Sequence, residues 1–122
     1  MNSKKDRWQA LYDFWSSFGI PAYKVEAPEG AEKPYIVFQG AVGSFESIIT
    51  LNASIWDRTT KGTEFIDKKA DEIEKYIETM GCPEIEGGRY RVYTGETFAQ
   101  DMSDPDPLIK RKVLTVNFEF MT

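Results

Sequence analysis

Histidine is absent from this chain of 122 residues, and cysteine occurs once, at Cys82. The lack of histidine excludes Ser-His-Asp and Cys-His catalysis and removes the commonest metal ligand and proton shuttle. A single cysteine allows no intramolecular disulfide, which is typical of a protein made in a reducing compartment. Cys82 follows the C-terminus of a predicted helix, where the helix dipole opposes a thiolate, so we interpret it as a small apolar residue.

Long apolar segments and a basic excess are lacking as well. No run approaches the roughly 18 apolar residues of a membrane span, and the first residues carry charges where a secretory signal has an apolar stretch. We therefore expect a protein made in the cytoplasm, with no membrane segment. The net charge of −5 argues against a nucleic-acid reader, because phosphate binding needs concentrated Lys and Arg.

What is present is ordinary globular composition with a high aromatic content. Hydrophobic residues make up 41% of the chain, charged residues 29% and aromatic residues 14%. A length of 122 residues is typical of one domain, and this aromatic share is sufficient to fill a core at that length. We expect a single domain over residues 1–122.

Two helices are predicted, because apolar positions recur every three or four residues in two segments. The first covers residues 3–18, with Ser3 as the N-cap and Gly19 as the stop, and the second covers residues 63–80. The predicted buried stripes are Trp8, Leu11, Tyr12, Trp15 and Phe18 in the first helix, and Ile66, Ala70, Ile73 and Ile77 in the second.

The remaining segments are rich in β-forming residues. They predict strands at residues 22–26, 35–38, 47–56, 83–86, 89–93 and 108–121, with a short strand at 97–102. Gly40 and Gly43 predict a hairpin loop, and Gly87–Gly88 predicts a second, tighter hairpin. The residues expected on the buried strand faces are Ile49, Leu51, Ala53, Ile55, Leu114, Val116, Phe118 and Phe120. The order α-β-β-β-α-β-β(-β) predicts an α+β fold, with two helices packed on an antiparallel or mixed β-sheet.

The acidic loop at residues 101–107, DMSDPDP, has the carboxylates of a metal site but not the rest of an EF-hand pattern. It has no central glycine, two prolines stiffen it, and Lys112 stands where the distal glutamate belongs. A turn built on Asp-Pro chemistry is favoured, and a weak divalent-ion site shared between subunits is the alternative.

Two further segments allow both a structural and a functional interpretation. Lys110, Arg111 and Lys112 form the densest basic run, but alternation along a strand places Arg111 on the face opposite to its neighbours. The run either protects a strand end from edge pairing or contacts a partner. Trp56, followed by Asp57, closes a predicted strand and fits either a core aromatic before a helix-entry loop or an exposed contact.

Taken in order, six segments resemble the tail terminator (tail completion) proteins of long-tailed phages and prophages. In the family, an N-terminal helix is followed by six features in order. These are an extended PYIVF-like strand, a Trp-Asp-Arg-[Ser/Thr] motif, a helix with an Ala-Asp-Glu-Ile run, a Gly-Gly hairpin, a Gly-x-x-Phe-x-Gln-x-Met-x-Asp segment and a final alternating strand. The corresponding segments here are residues 34–38, 55–59, 70–73, 87–93, 95–104 and 110–120. The loop at residues 28–33 has no counterpart in that pattern.

The resemblance implies a structural virion protein and no enzyme, cofactor or metal. Members assemble as a homo-oligomeric ring, usually hexameric, at the head-tail joint. The ring sits on the tail tube protein, stops tube elongation and offers a docking face to head-completion proteins, while DNA only passes through the lumen. Because loops on a rigid sheet commonly carry contacts, we expect the interface to include Trp56, Asp57, Arg58, Gln100, Asp101, Asp104 and Asp106.

Three alternatives remain open from the sequence. A head-closure protein of the same neck region shares the small α+β form and the ring assembly. A small metal-dependent hydrolase would use Asp101, Asp104 and Asp106 as ligands, and it needs a concave pocket. A monomeric ligand-binding domain of bacterial origin would need an apolar pocket.

Overall fold

The helices and strands follow the predicted order. The computed structural model describes residues 4–40, 48–80, 84–85 and 88–121. Their elements are α1 (Lys4–Ser16), β1 (Ala22–Lys24), β2 (Tyr35–Gln39), β3 (Ile48–Arg58), α2 (Glu64–Met80), β4 (Glu84–Ile85), β5 (Gly88–Met102) and β6 (Ile109–Met121).

The strands form one six-stranded mixed sheet in the order β1-β2-β3-β6-β5-β4. β1 pairs with β2 in parallel, and each of the other neighbouring pairs is antiparallel. The predicted α+β fold and element order are therefore confirmed. Over the described ranges, neither helix combines the length and the apolar character needed to cross a membrane.

Strand β5 differs from the prediction. The pattern predicts separate strands at residues 89–93 and 97–102, whereas β5 runs through both segments. The register of β5 against β6 shifts between Thr94 and Ala99, which explains the break in the apolar pattern. A Cβ at Gly95 would stand 2.6 Å from Thr115 Cγ2, so this segment passes close to β6 because residue 95 has no side chain.

The two predicted hairpins have different outcomes. The pairing of Ile85 with Gly88 confirms the hairpin that joins β4 to β5, although Gly87 itself lies outside the described residues. β2 and β3 are antiparallel neighbours, as a hairpin requires, but most of their connection, including Gly43, also lies outside the described residues.

The core lies between the helices and one face of the sheet. Every predicted inward residue of β3 and β6 is buried there, and the stripe predicted for α2 is buried as well. Because strand side chains alternate between faces, the partners across β3 and β6 meet on this side, for example Leu51 with Val116. The predicted buried faces of these three elements are thus confirmed.

The stripe predicted for α1 is wrong at one position. Tyr12 is 46% exposed, whereas Phe14, which the prediction omits, is 3% exposed. The Phe14 ring meets the Phe118 ring edge-on, with 5.2 Å between centroids. Trp8 is only partly buried and lies at the edge of the buried stripe. A helical stripe drawn through Trp8 and Leu11 is therefore rotated toward Tyr12 and misses Phe14. The predicted N-cap, Ser3, lies outside the described residues.

The difference in burial between Phe14 and Tyr12 predicts a difference in stability. Phe14→Ala should lower the free energy of unfolding by about 3–5 kcal/mol, because it leaves a cavity among packed rings. Tyr12→Ala, a matched aromatic truncation on the same helix, should cost less than about 1 kcal/mol because the ring is largely in solvent. Urea unfolding followed by far-UV circular dichroism measures both, and equal losses in the two variants would contradict this difference in burial.

Candidate functional site on the open face of the sheet

Both helices cover the same face of the sheet, and the opposite face has no described helix on it. On the covered face, Trp15 of α1 stacks with Phe38, while Ile73 and Ile77 of α2 are buried. We call the opposite side the open face. The strand registers place on it Tyr35, Val37, Gln39, Thr50, Asn52, Ser54, Trp56, Arg58, Arg91, Tyr93, Gln100, Arg111, Val113, Thr115, Asn117 and Glu119.

Arg111 is held in place on the open face, near the first residues of β6. Its guanidinium carbon lies 4.7 Å from the centroid of the Trp56 ring, the geometry of a cation–π contact. Its Nε donates a hydrogen bond of 3.1 Å to Ser54 Oγ. Arg111 and Trp56 are cross-strand partners in the register of β3 and β6, so the sheet itself brings them together. The guanidinium therefore has a fixed plane and position.

A groove runs beside this pair toward β1. It encloses about 280 Å³, and its walls are formed by Val25, Glu26, Ala27, Tyr35, Val37, Gln39, Ser54, Trp56 and Arg111. Val25 at the rim is 56% exposed and has a φ of 72°, a left-handed conformation that strains a β-branched residue. The groove is mixed in character, with aromatic and aliphatic walls beside one oriented cation.

Asp106 ties the acidic loop to the end of β3. Arg58 Nη1 lies 3.2 Å from Asp106 Oδ2, and the backbone amide of Leu108 donates to Asp106 Oδ1 at 2.9 Å. The backbone amide of Asp106 donates in turn to Asp104 Oδ1 at 2.9 Å. These carboxylates hold the loop by accepting from its own amides, which confirms the predicted turn.

The carboxylates proposed as metal ligands point to different places. Asp101 lies on the covered face, where Lys112 Nζ is 3.2 Å from its Oδ1, whereas Asp104 and Asp106 are occupied within the loop. Over the ranges that the structure describes, no three of the residue types Asp, Glu, His and Cys come together as a group that could hold a metal ion.

The predicted interface residues separate onto the two sides of the sheet. Trp56, Arg58 and Gln100 lie on the open face. Asp57 is 9% exposed on the covered side, where its Oδ1 accepts a hydrogen bond from the backbone amide of Arg58 at 2.8 Å. Asp101 is also on the covered side. The seven predicted residues therefore do not form one surface, although the loop with Asp104 and Asp106 adjoins Arg58.

Lys112 joins the sheet to α2 through two carboxylates. Its Nζ lies 2.7 Å from Asp67 Oδ1 and 3.2 Å from Asp101 Oδ1, and its side chain is 15% exposed. The hydrogen bond from Lys112 lowers the pKa of Asp67 below its ordinary 3.8, against a smaller opposing effect of burial. Burial disfavours the charged form of Lys112, but its bonds to Asp67 and Asp101 outweigh this and raise its pKa above 10.5.

The predicted interface set omits Arg111, although the basic run at residues 110–112 is a candidate partner contact, and it omits the β1–β2 side of the groove. The sequence contained one signal for Arg111, namely the strand alternation that places it on the side opposite to Lys110 and Lys112. The pairing of Arg111 with Trp56 depends on the register of β3 against β6, which local sequence does not determine.

The Lys112 cluster predicts a pH dependence. Asp67 has a lowered folded-state pKa, so its contribution to stability is present above pH 3.8 and is lost as pH falls through the folded value. Asp67→Asn should therefore destabilise the protein at about pH 7, by less than about 1 kcal/mol because the carboxylate is partly in solvent. The difference from wild type should vanish in strong acid. Asp71→Asn, on the same helix, is the control, and an equal pH-dependent loss there would contradict the assignment.

The loop geometry predicts a graded effect at Asp106. Asp106→Ala removes the acceptor of the Leu108 amide and the partner of Arg58, so it should cost about 1–2 kcal/mol of unfolding free energy. Asp106→Asn keeps an oxygen for the amide and should cost less than about 1 kcal/mol, because the exposed ion pair alone contributes little. Thermal unfolding of both variants measures the difference. A stability gain on adding Ca²⁺ or Mg²⁺ to wild type, lost in both variants, would instead favour a metal site.

Comparisons with known proteins identify the fold and no family. No family model matches the chain, and no curated protein matches it. Among solved structures, one chain whose name describes no activity superposes with a TM-score of 0.66. The match covers 98% of this chain and 96% of that chain at 10% sequence identity. At this identity the likeness shows a shared fold over nearly the full length of both chains.

Proposed function

We propose that the chain is a tail terminator subunit of a long-tailed phage or prophage. In this role it assembles as a ring on the finished tail tube, stops tube elongation and presents a docking face to head-completion proteins. The supporting observation is the open face, a sheet surface that has no described helix on it and carries the oriented Trp56–Arg111 pair. The ordered resemblance of six segments to that family supplies the specific role.

Several properties of the chain are compatible with this proposal. Aromatic residues and arginine are enriched at the centres of protein interfaces, where their large rigid surfaces lose little conformational entropy. The Trp56–Arg111 pair is fixed before any partner arrives, which lowers the cost of binding. The net charge of −5 suits a ring through which DNA moves, because an acidic wall repels the phosphates.

A head-closure subunit of the same neck region is the second candidate. It would use the same ring assembly but would bind the portal side of the neck instead of the tail tube. A metal-dependent hydrolase has less support, because Asp104 and Asp106 are used by the loop and Asp101 is paired with Lys112.

The proposal predicts both assembly and a partner. Light scattering over a range of concentrations, with and without Mg²⁺, and negative-stain images should give closed rings of about six copies, free or on tail-tube ends. Purified tubes should bind the wild-type protein at their ends. Trp56→Ala should weaken assembly or tube binding by about tenfold or more, as expected for an interface aromatic.

Tyr12→Ala is the matched control, since Tyr12 is an exposed aromatic on the helix side of the molecule. Binding to the portal side without binding to tubes would favour the head-closure protein. A protein that stays monomeric, and binds neither tubes nor portals, would contradict both neck functions.

A further inference from the structure

One cation of the open face has no carboxylate partner among the described residues. Arg58 is paired with Asp106, and Arg91 lies 3.6 Å from Glu119. Arg111 has its Nε on Ser54 and its plane over Trp56, and in the described part of the chain its two Nη atoms have no ion pair. A guanidinium fork presents donors in the geometry of a carboxylate, so Arg111 can accept an anion from outside the chain.

A stripe of carboxylates runs along one flank of α2. The stripe includes Asp67, Asp71, Glu74 and Glu78. These residues are spaced four, three and four positions apart, which places them on one side of the helix. Each follows a residue of the buried stripe, so the acidic stripe lies about 100° around the helix from the core. We call Asp71, Glu74 and Glu78 the acidic flank.

The acidic flank lacks cationic partners within the described ranges. Lys112 neutralises Asp67, and Lys68 pairs with Glu64, which precedes Asp67 by three residues on the same side of the helix. Lys69 pairs with Glu72, which lies on another side of α2. Lys75 lies four residues after Asp71 and three before Glu78, but it forms no ion pair with either among the described residues. Since like charges three and four residues apart repel one another, a further cation would stabilise this flank. Asp71 and Glu78 are exposed and Glu74 is partly exposed, so a cation can reach all three.

The acidic flank and Arg111 lie on opposite sides of the same sheet. One chain therefore cannot bring them together, but two copies can. A contact between two different surfaces of identical chains is heterologous, and it generates a closed ring when the rotation between copies allows closure.

We propose that the acidic flank of α2 in one copy docks on the open face of the next, with its carboxylates at Arg111. The groove of about 280 Å³ beside Arg111 and Trp56 receives these side chains. Glu26 lies at the groove rim and repels the incoming carboxylates from its end of the groove. The carboxylates are therefore directed toward the end that contains Arg111. The inference deepens the proposed ring, because it names the two surfaces that join its subunits and the direction in which they join.

Mixing two charge-reversed variants tests this arrangement. The first is Arg111→Glu, and the second combines Asp71→Lys, Glu74→Lys and Glu78→Lys. Alone, each sets like charges against each other at the contact, so the concentration needed for half-assembly should rise by about tenfold or more. Mixed in equal amounts, they should assemble again, because each junction now pairs opposite charges. Sedimentation velocity of wild type, each variant and the mixture at one protein concentration series measures this.

Two controls separate the contact from general charge effects. Lys61→Glu reverses an exposed lysine away from the groove, and Glu72→Lys reverses an exposed carboxylate of α2 that lies about 100° around the helix from Asp71. Neither should shift assembly by more than about twofold, since rim charges act weakly at physiological salt. Circular dichroism establishes that every variant is folded before its mass is compared.

Each other outcome overturns the inference and can be told apart from failure of the proposed function. A folded wild type that stays monomeric throughout the series, or charge reversals that leave assembly unchanged, would overturn the head-to-tail contact. So would two variants that each lose assembly and fail to recover it when mixed. Binding of wild-type protein to tail-tube ends, measured separately, decides the proposed function in every one of these cases.

Discussion

The antiparallel pairing of β3 with β6 determines the two faces of the molecule. Side chains alternate along both strands, so a register that places Leu51 beside Val116 in the core also places Trp56 beside Arg111 on the other side. A slip of one residue would bury Arg111 and expose the apolar set, which the loss of core burial forbids. Core formation and the oriented cation–π pair are therefore consequences of a single register. The helices depend on it too, because they pack only on the apolar side.

Much of the fold could be predicted from local patterns. The period-two alternation of β6 and the three-and-four spacing of α2 identify their buried faces correctly, because each pattern has one self-consistent solution. In α1 the apolar residues extend too far around the helix, so the pattern alone could not choose between Tyr12 and Phe14. In β5 the break at Gly95 imitates a loop, since a register shift and a turn both interrupt alternation.

The candidate site was harder to predict, because it is made by contacts between distant segments. Asp101, Asp104 and Asp106 form one acidic group in the sequence, yet one is paired with Lys112 and two hold backbone amides. Adjacent residues can also be separated by the sheet, as Asp57 and Arg58 are. The groove combines the end of β1 with β2, β3 and β6, so no single stretch of sequence contains its pattern.

The irregular stretch of β5 controls which way its last residues face. From Thr94 to Ala99 the chain advances five positions, while β6 advances two, from Val116 to Leu114, so three residues are in excess. Because this excess is odd, the odd-numbered residues after it lie on the face that the even-numbered residues occupy before it. Asp101 consequently points to Lys112 beneath α2, and Gln100 points to the open face. Regular alternation continued from Thr94 would instead place Gln100 on the covered face and Asp101 on the open face, which would leave Lys112 with Asp67 alone.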